Sequence, residues 1–196
     1  MYVELHAASA FSFLQGASLP EALVERAGDL GYRALALVDR DGMYGAPRFH
    51  KAATAAGVRP LIGAELTMRD ASDSLGRQWL LPVLCESAEG YRNLCRLITR
   101  MKLSAPKGEG ALTVTELDGC TDGLVALAGR VVLNGQRYGV GGLLDQLVGL
   151  FGRHSVYVEL QRHFRRDEES DNRALLTAAS AFRVPVVATN GGRFAT

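Results

Sequence analysis

Pro185-Val186-Val187-Ala188-Thr189-Asn190-Gly191-Gly192-Arg193 is a run of small and β-branched residues that breaks abruptly into polar ones. A strand run with little apolar/polar alternation needs cover on both faces, as in a parallel sheet wrapped by helices. Its polar tail falls where such a strand delivers side chains to a site. The same design recurs up the chain, at 3–5, 34–38, 61–66, 79–84, 124–128 and 156–160, which with 185–188 makes seven predicted strands.

Helical patterns separate most of these runs. Ser18-x-x-Glu21 reads as a capping box opening a helix that runs to Leu30 and stops at Gly31. Ala46 to Ala56 has helical composition with Gly57 as its C-terminal stop. Ser87 is placed to cap a helix from about Glu89 to Met101, and Ser104 to Gly110 is a polar loop. Further helical patterns occupy 142–151 and 168–182. This alternation predicts an α/β fold, either a closed βα barrel or a doubly wound sheet. No G-x-G-x-x-G opens a helix after the first strand, which disfavours the dinucleotide-binding form. Polar residues follow the strands: His6, Asp39 with Arg40, Glu65, Arg130, Glu159 to His163, and Asn190 with Arg193. In a βα barrel such positions converge at the C-terminal mouth, where active sites sit.

Composition narrows the class. The chain has 196 residues, 47% of them hydrophobic, and no Pro/Ser-rich linker, so a single domain over 1–196 with a substantial core is expected. A formal net charge of +1 gives the molecule no field that would draw it to nucleic acid or anionic lipid. Cys85, Cys95 and Cys120 are odd in number and lack Cys-x-x-Cys spacing, which argues for a reducing compartment, the cytoplasm, and against a disulfide framework or thiolate zinc site. The start, Met1-Tyr2-Val3-Glu4, has neither a basic segment nor an apolar core, and no stretch approaches the roughly 18 apolar residues that span a bilayer. No membrane association is expected.

The post-strand segments resemble the polymerase and histidinol phosphatase (PHP) domain that begins bacterial C-family DNA polymerases, the DNA polymerase III alpha subunit type. The family's His-x-His strand end and Ser-x-Leu-Asp-Gly turn read here as Leu5-His6-Ala7-Ala8 and Ser12-Phe13-Leu14-Gln15-Gly16. Ala-Leu-Thr-Asp-His-Gly becomes Ala36-Leu37-Val38-Asp39-Arg40-Asp41-Gly42, and the Ile-Gly-x-Glu element is Ile62-Gly63-Ala64-Glu65. The stretch from Gly90 to Arg100, the Lys107-Gly108-Glu109 loop and Glu159-Leu160-Gln161-Arg162-His163 are most similar to the error-prone branch. The terminal Ala-Thr-Asn-Asp-x-His becomes Ala188-Thr189-Asn190-Gly191-Gly192-Arg193. The ordered matches span essentially the whole chain.

The resemblance implies a TIM-like (βα)7 PHP barrel of mostly parallel strands. In active members it implies a phosphoesterase site where zinc, manganese or iron is held by His, Asp, Glu and Cys, with bridged metals generating hydroxide and clamping an in-line phosphoryl displacement. This chain departs at most of those positions: Ala8, Gln15, Arg40, Leu80, Arg130, Gly191 and Arg193 stand where ligands are expected. His6 and Glu65 remain as matched ligands, with Asp39 and His163 as nearby candidates. His6, Asp39, Arg40, Glu65, Arg130, His163, Asn190 and Arg193 therefore mark a vestigial metal site with no catalytic residue and no cofactor expected; His6 and Glu65 would hold any metal that did bind. Arg40, Arg130 and Arg193 are expected to repel a divalent cation and to pair with Glu65 and Asp39, or else to bind an anion such as phosphate.

The reading that follows is a metal-depleted PHP domain of an error-prone polymerase that serves DNA replication, repair and damage-tolerant, translesion synthesis. The parent family consists of DNA-directed DNA polymerases, nucleotidyltransferases that use magnesium in a polymerase domain absent from these residues. The chain alone is expected to be inactive and to act as a structural module. Its partners would be the remaining polymerase domains or accessory subunits, with DNA reached only through them. The alternative is a metal-dependent PHP-type phosphoesterase or 3'-5' exonuclease. Other features read plainly: His50 and His154 as surface or packing residues, Arg92, Arg96 and Arg100 with Lys102 and Lys107 as a solvated basic helix face or a DNA or interdomain contact, and Arg162, Arg165 and Arg166 as balanced by Asp167, Glu168 and Glu169. Trp79 and Tyr91 do not alternate with basic residues as a stacking platform for single strands would require.

Overall fold

A computed structural model describes residues 2–70, 77–106, 108–133 and 142–195. Lys107, counted above in the basic face and its loop, lies outside them. Two compact units result, Met1–Glu65 with Thr189–Thr196 and Leu66–Ala188, and strand β3 contributes to both.

In the first unit, β1 (Glu4–Ala7), β2 (Ala34–Arg40) and the first part of β3 (Arg59–Arg69) run parallel, with Ala7 opposite Leu37 and Arg40 opposite Glu65. Parallel pairing sets the C-terminal ends of these strands at one edge, which is where the polar residues lie. Helices α1 (Pro20–Asp29) and α2 (Ala46–Ala55) are the crossovers. Leu23, Val24 and Ala27 of α1 and Phe49 and Ala53 of α2 close a core over Leu35, Leu37 and Val58. Gly31 and Gly57 end the two helices at φ 69° and 70°, a left-handed geometry that glycine adopts without a Cβ penalty. The helix start at Ser18 differs from expectation. Pro20 opens α1, Leu19 occupies the N-cap position without a side-chain bond, and the Ser18 hydroxyl accepts the Ala195 N–H at 2.9 Å. Proline lacks the N–H and has its φ fixed, so it starts the helix two residues beyond the serine. Glu21 correspondingly turns to Arg48, at 2.7 Å.

The second unit holds the end of β3, β4 (Gln78–Cys85), β5 (Leu124–Ala128), β6 (Val156–Leu160) and β7 (Val186–Ala188), with helices α3 (Ala88–Leu103), α4 (Gly142–Phe151) and α5 (Glu168–Phe182). β4 is antiparallel to β5, with Leu84 opposite Val125, while β5–β6 and β6–β7 are parallel. Ser87 caps α3 as expected, accepting the Gly90 N–H at 3.1 Å. The buried helix residues Leu94, Leu97, Met101, Leu144, Leu147 and Leu175 supply the apolar layer over the strands.

The strand order is β1-β2-β3-β4-β5-β6-β7 in one seven-stranded, mostly parallel sheet, an α/β fold. The expected closure into a TIM-like barrel has no counterpart among the described pairings, which run from β1 to β7 and stop. β7 is only three residues long and leaves Val186 41% exposed, so its hydrogen bonding with β6 is not matched by cover on its faces. No helix among the described residues is long and apolar enough to cross a membrane.

Candidate functional site

The polar residues of the first unit sort into three connected groups. Glu4 and His6 share one face of β1 because side chains alternate along a strand. Buried Glu4 accepts the His6 N–H at 2.8 Å through one carboxylate oxygen and, through the other, the Asn190 N–H at 2.9 Å and the Tyr2 hydroxyl at 2.7 Å. The C-terminal segment is thereby tied to β1, and the Ala8 N–H adds a bond to the Gly192 carbonyl at 2.8 Å. Asn190 thus enters through its backbone.

His6 and Glu65, both buried, form the second group, with His6 Nε2 and Glu65 Oε1 3.0 Å apart. Arg193 approaches the same oxygen at 4.0 Å, an ion-pair distance outside hydrogen-bond range, while its other Nη donates to Gln15 Oε1 at 2.7 Å. The expected hydrogen bond from an arginine to Glu65 is therefore replaced by an imidazole. Gln15 draws the guanidinium aside.

Asp39 is the centre of the third. At 1% exposure it accepts the Ser9 N–H at 2.7 Å and the Ser9 and Ser12 hydroxyls at 2.9 Å each. Ser12 Oγ in turn accepts the Arg40 N–H at 3.0 Å, so one hydroxyl joins the loop after β1 to the end of β2. Gly16 closes this loop against Ser9, where any Cβ would collide with the Ser9 carbonyl. Among the described residues no arginine is recorded as an ion-pair partner of Asp39, and Arg40 brings its guanidinium to Asp41 at 3.7 Å. The serines reach Asp39 first because the tight loop at 9–16 presents them at the strand end.

In the second unit, Arg130 leads the short 3-10 turn after β5 and faces the first turn of α5, where Glu168 and Asp171 lie at 3.4 and 3.5 Å. His163 Nδ1 is 3.4 Å from the Glu168 oxygen that faces Arg130. The second Glu168 oxygen accepts the His163 N–H at 2.6 Å and the Arg165 N–H at 3.0 Å. Burial works against ionisation of Glu168, but these two amide bonds, then the charge of Arg130 and His163, hold its carboxyl below the usual carboxylate range. Arg130 Nη2 and Glu168 Oε1 are buried without an aligned hydrogen bond, so their attraction is an ion pair alone. Thus the sequence-predicted positions fall into His6 with Glu65 and Arg193, Asp39 beside Arg40, Asn190 on Glu4, and Arg130 with His163.

Glu4, Ser9, Ser12, Glu168 and Asp171 were not read from the sequence as site residues. Three had a local signal: Glu4 lies two residues before His6 on the same strand face, and Glu168 and Asp171 are one helical turn apart at a helix start. The charge runs resolve locally, with Arg92 at 2.6 Å and Arg96 at 3.7 Å from Glu89, Arg100 donating to the Glu116 carbonyl, and Arg162 at 3.3 Å from Glu169. His50 and His154 are exposed.

The donor chemistry fits a metal cluster poorly. Glu65 and His6 are bonded to each other, Asp39 is occupied by three donors, and among the described residues no group of three or more His, Cys, Asp or Glu is placed to hold a metal ion. An anion fares no better in the first unit, where Glu4, Asp39, Asp41 and Glu65 outnumber Arg40 and Arg193. Cys85, Cys95 and Cys120 are free thiols.

Comparison with known proteins bears on the family and the fold. The PHP domain model matches residues 4–163. An error-prone DNA polymerase from Mycolicibacterium paratuberculosis is 42% identical over 211 aligned positions, which include 99% of this chain but 19% of the relative's length. Among solved structures, a proposed metal-dependent phosphoesterase from Bifidobacterium adolescentis superposes with TM-score 0.68 at 15% identity, over 98% of this chain and 87% of the other. An amidohydrolase from Chromobacterium violaceum, with bound sulfate and no metal, does so with TM-score 0.67 at 14% identity, over 98% and 88%. At such identities the structural likeness concerns the fold.

Proposed function

This chain belongs to the PHP domain family, and we propose that it is the metal-depleted PHP domain of an error-prone DNA polymerase, retained as a scaffold for the polymerase body. The observation that carries the reading is the fate of the remaining ligand-type residues. His6 and Glu65 satisfy one another at 3.0 Å, and Asp39 is held by Ser9 and Ser12, so each carries out a structural task in place of coordination. Arg193 adds positive charge 4.0 Å from Glu65, beside the remaining His6–Glu65 pair; two unit charges about 6 Å apart at a dielectric of about 20 repel by roughly 3 kcal/mol, and a divalent ion doubles that.

The polymerase as a whole would extend DNA from deoxynucleoside triphosphates with magnesium, in cytoplasmic damage-tolerant synthesis. The matched segment makes up 19% of one relative named error-prone DNA polymerase and 15% of another, which supports a role as one part of a larger assembly whose other domains or subunits it contacts. Two experiments test the reading. Protein purified without chelator should contain well under one equivalent of zinc, manganese or iron and show no phosphatase or nuclease activity; stoichiometric metal lost on mutating His6 or Glu65, together with turnover, would favour a PHP-type phosphoesterase or exonuclease. Deleting residues 1–196 from such a polymerase should abolish soluble, active enzyme, and unaltered primer extension would refute the scaffold role.

A further inference from the structure

The loop that buries Asp39 has an outward face. Ser9 and Ser12 are fixed inward, Ser12 N–H bonds the Ser9 carbonyl at 2.9 Å, and Gln15 and Gly16 N–H bond the Ser12 carbonyl at 2.9 and 3.0 Å. The residues between them, Phe13 and Leu14, are 81% and 106% exposed. Leu14 sits at φ 61°, a left-handed conformation that a bulky side chain rarely adopts. Tyr44, 61% exposed, projects from the turn after β2, which Ser12 ties to the same strand edge through Arg40 N–H. Beside them Phe11 is covered by the Arg48 guanidinium at 5.8 Å and Gly45. A hydrogen-bonded loop thus holds large apolar side chains in water where none helps the core, an arrangement that marks a contact surface.

We propose that Phe13, Leu14 and Tyr44 form a docking knob that inserts into an apolar pocket of the polymerase body joined to this domain. The proposal rests on the scaffold reading and names the surface through which it acts. The cations around the knob are engaged, Arg40 and Arg48 with Asp41 and Glu21 and Arg193 with Gln15 and, at 4.0 Å, Glu65, so the surface lacks the phosphate-directed charge that nucleic acid requires. Its size argues for a tethered partner. With aromatic side chains burying roughly 150 to 250 Å² each, the knob offers roughly 450 Å², against about 800 Å² per partner in stable two-body complexes. A second copy of the chain would be held too weakly by it, whereas a covalently linked domain is presented at an effective concentration of about millimolar.

The test compares hydrogen exchange over residues 10–16 in the isolated chain and in the polymerase that carries it, each as wild type and as the Phe13→Ser/Leu14→Ser double variant. Exchange should slow roughly ten-fold or more in the polymerase, the protection should vanish in the double variant, and the isolated chain should keep the same unfolding midpoint with or without the substitutions. Equal exchange in both contexts overturns the proposal, as does a lowered midpoint in the isolated variant, which would make the side chains part of the core. Protection that appears in the isolated chain as its concentration rises would assign the knob to a second copy, and protection that requires added single-stranded DNA would assign it to nucleic acid; either result replaces the proposal. If deletion of residues 1–196 disables the polymerase while the double variant leaves exchange unchanged, the scaffold reading stands and the knob alone fails.

Discussion

Each unit has an arginine among the polar residues that follow the strands, and the two units deal with it differently. In the first, Arg193 stays 4.0 Å from Glu65 and is anchored by the neutral Gln15, while the buried carboxylates are satisfied by His6, Ser9 and Ser12. In the second, Arg130 is the hub, with Glu168 and Asp171 at 3.4 and 3.5 Å. The difference follows from what the local backbone offers. The loop at 9–16 brings hydroxyls and amides to a carboxylate, which then has no need of a cation. The first turn of α5 brings two carboxylates to one face, where a cation is required to offset their repulsion. An arginine that follows a strand therefore carries structural weight only where its neighbours leave charge unpaired.

The comparison breaks most readily at Asp39. Asp39→Ala strands the Ser9 amide and two hydroxyls in a buried place and should destabilise the chain by about 3 to 5 kcal/mol; a shift in the urea midpoint worth under about 1 kcal/mol would show that the serines find other acceptors. Next is the His6–Glu65 pair. Glu65→Ala should cost about 2 to 3 kcal/mol by removing the buried carboxylate that His6 Nε2 meets at 3.0 Å, whereas Arg193→Ala should cost under about 1 kcal/mol, since a partly exposed ion pair at this distance contributes little. An equal loss in both variants, read by thermal unfolding, would restore the arginine to the centre of the first unit.

A sharper form sets the two arginines side by side. Arg130→Ala should destabilise by about 1 to 2 kcal/mol, more than Arg193→Ala, because it uncovers buried Glu168; the reverse ranking would erase the distinction between the units. The smallest effect is on pH dependence. The folded carboxyl of Glu168 is held below its ordinary 4.5, so the stability it contributes is fully present above that value and is lost as pH falls through the lower, folded value. Midpoints measured from about pH 6 down to about pH 3 should fall less steeply in Glu168→Gln than in wild type; parallel acid limbs would mean that the carboxylate is not preferentially ionised in the fold.

Much of this was legible in the sequence. Apolar runs without alternation placed all seven strands, because a strand covered on both faces has no polar side to display, although β7 has the run without the cover, and Gly31, Gly57 and Ser87 marked helix ends where backbone geometry or an orphan N–H demands those residue types. The PHP motifs also located the polar positions at the ends of the strands. Ser18 misled because a capping motif competes with a proline two residues on, and the ring fixes the start of the helix.

Partnership was decided by tertiary structure. His6 and Glu65 are 59 positions apart and Ser9 and Asp39 are 30 apart, and nothing local says that an imidazole or a hydroxyl will reach the carboxylate before an arginine does. That choice depends on ångström-scale differences in where a tight loop and a parallel register set each donor. Residue type and periodicity thus determined which groups lie at the strand ends, through burial and backbone hydrogen bonding. Only packing across the chain determined which carboxylate met serine, which met histidine and which met arginine, since a short-range interaction goes to the donor that the fold holds nearest.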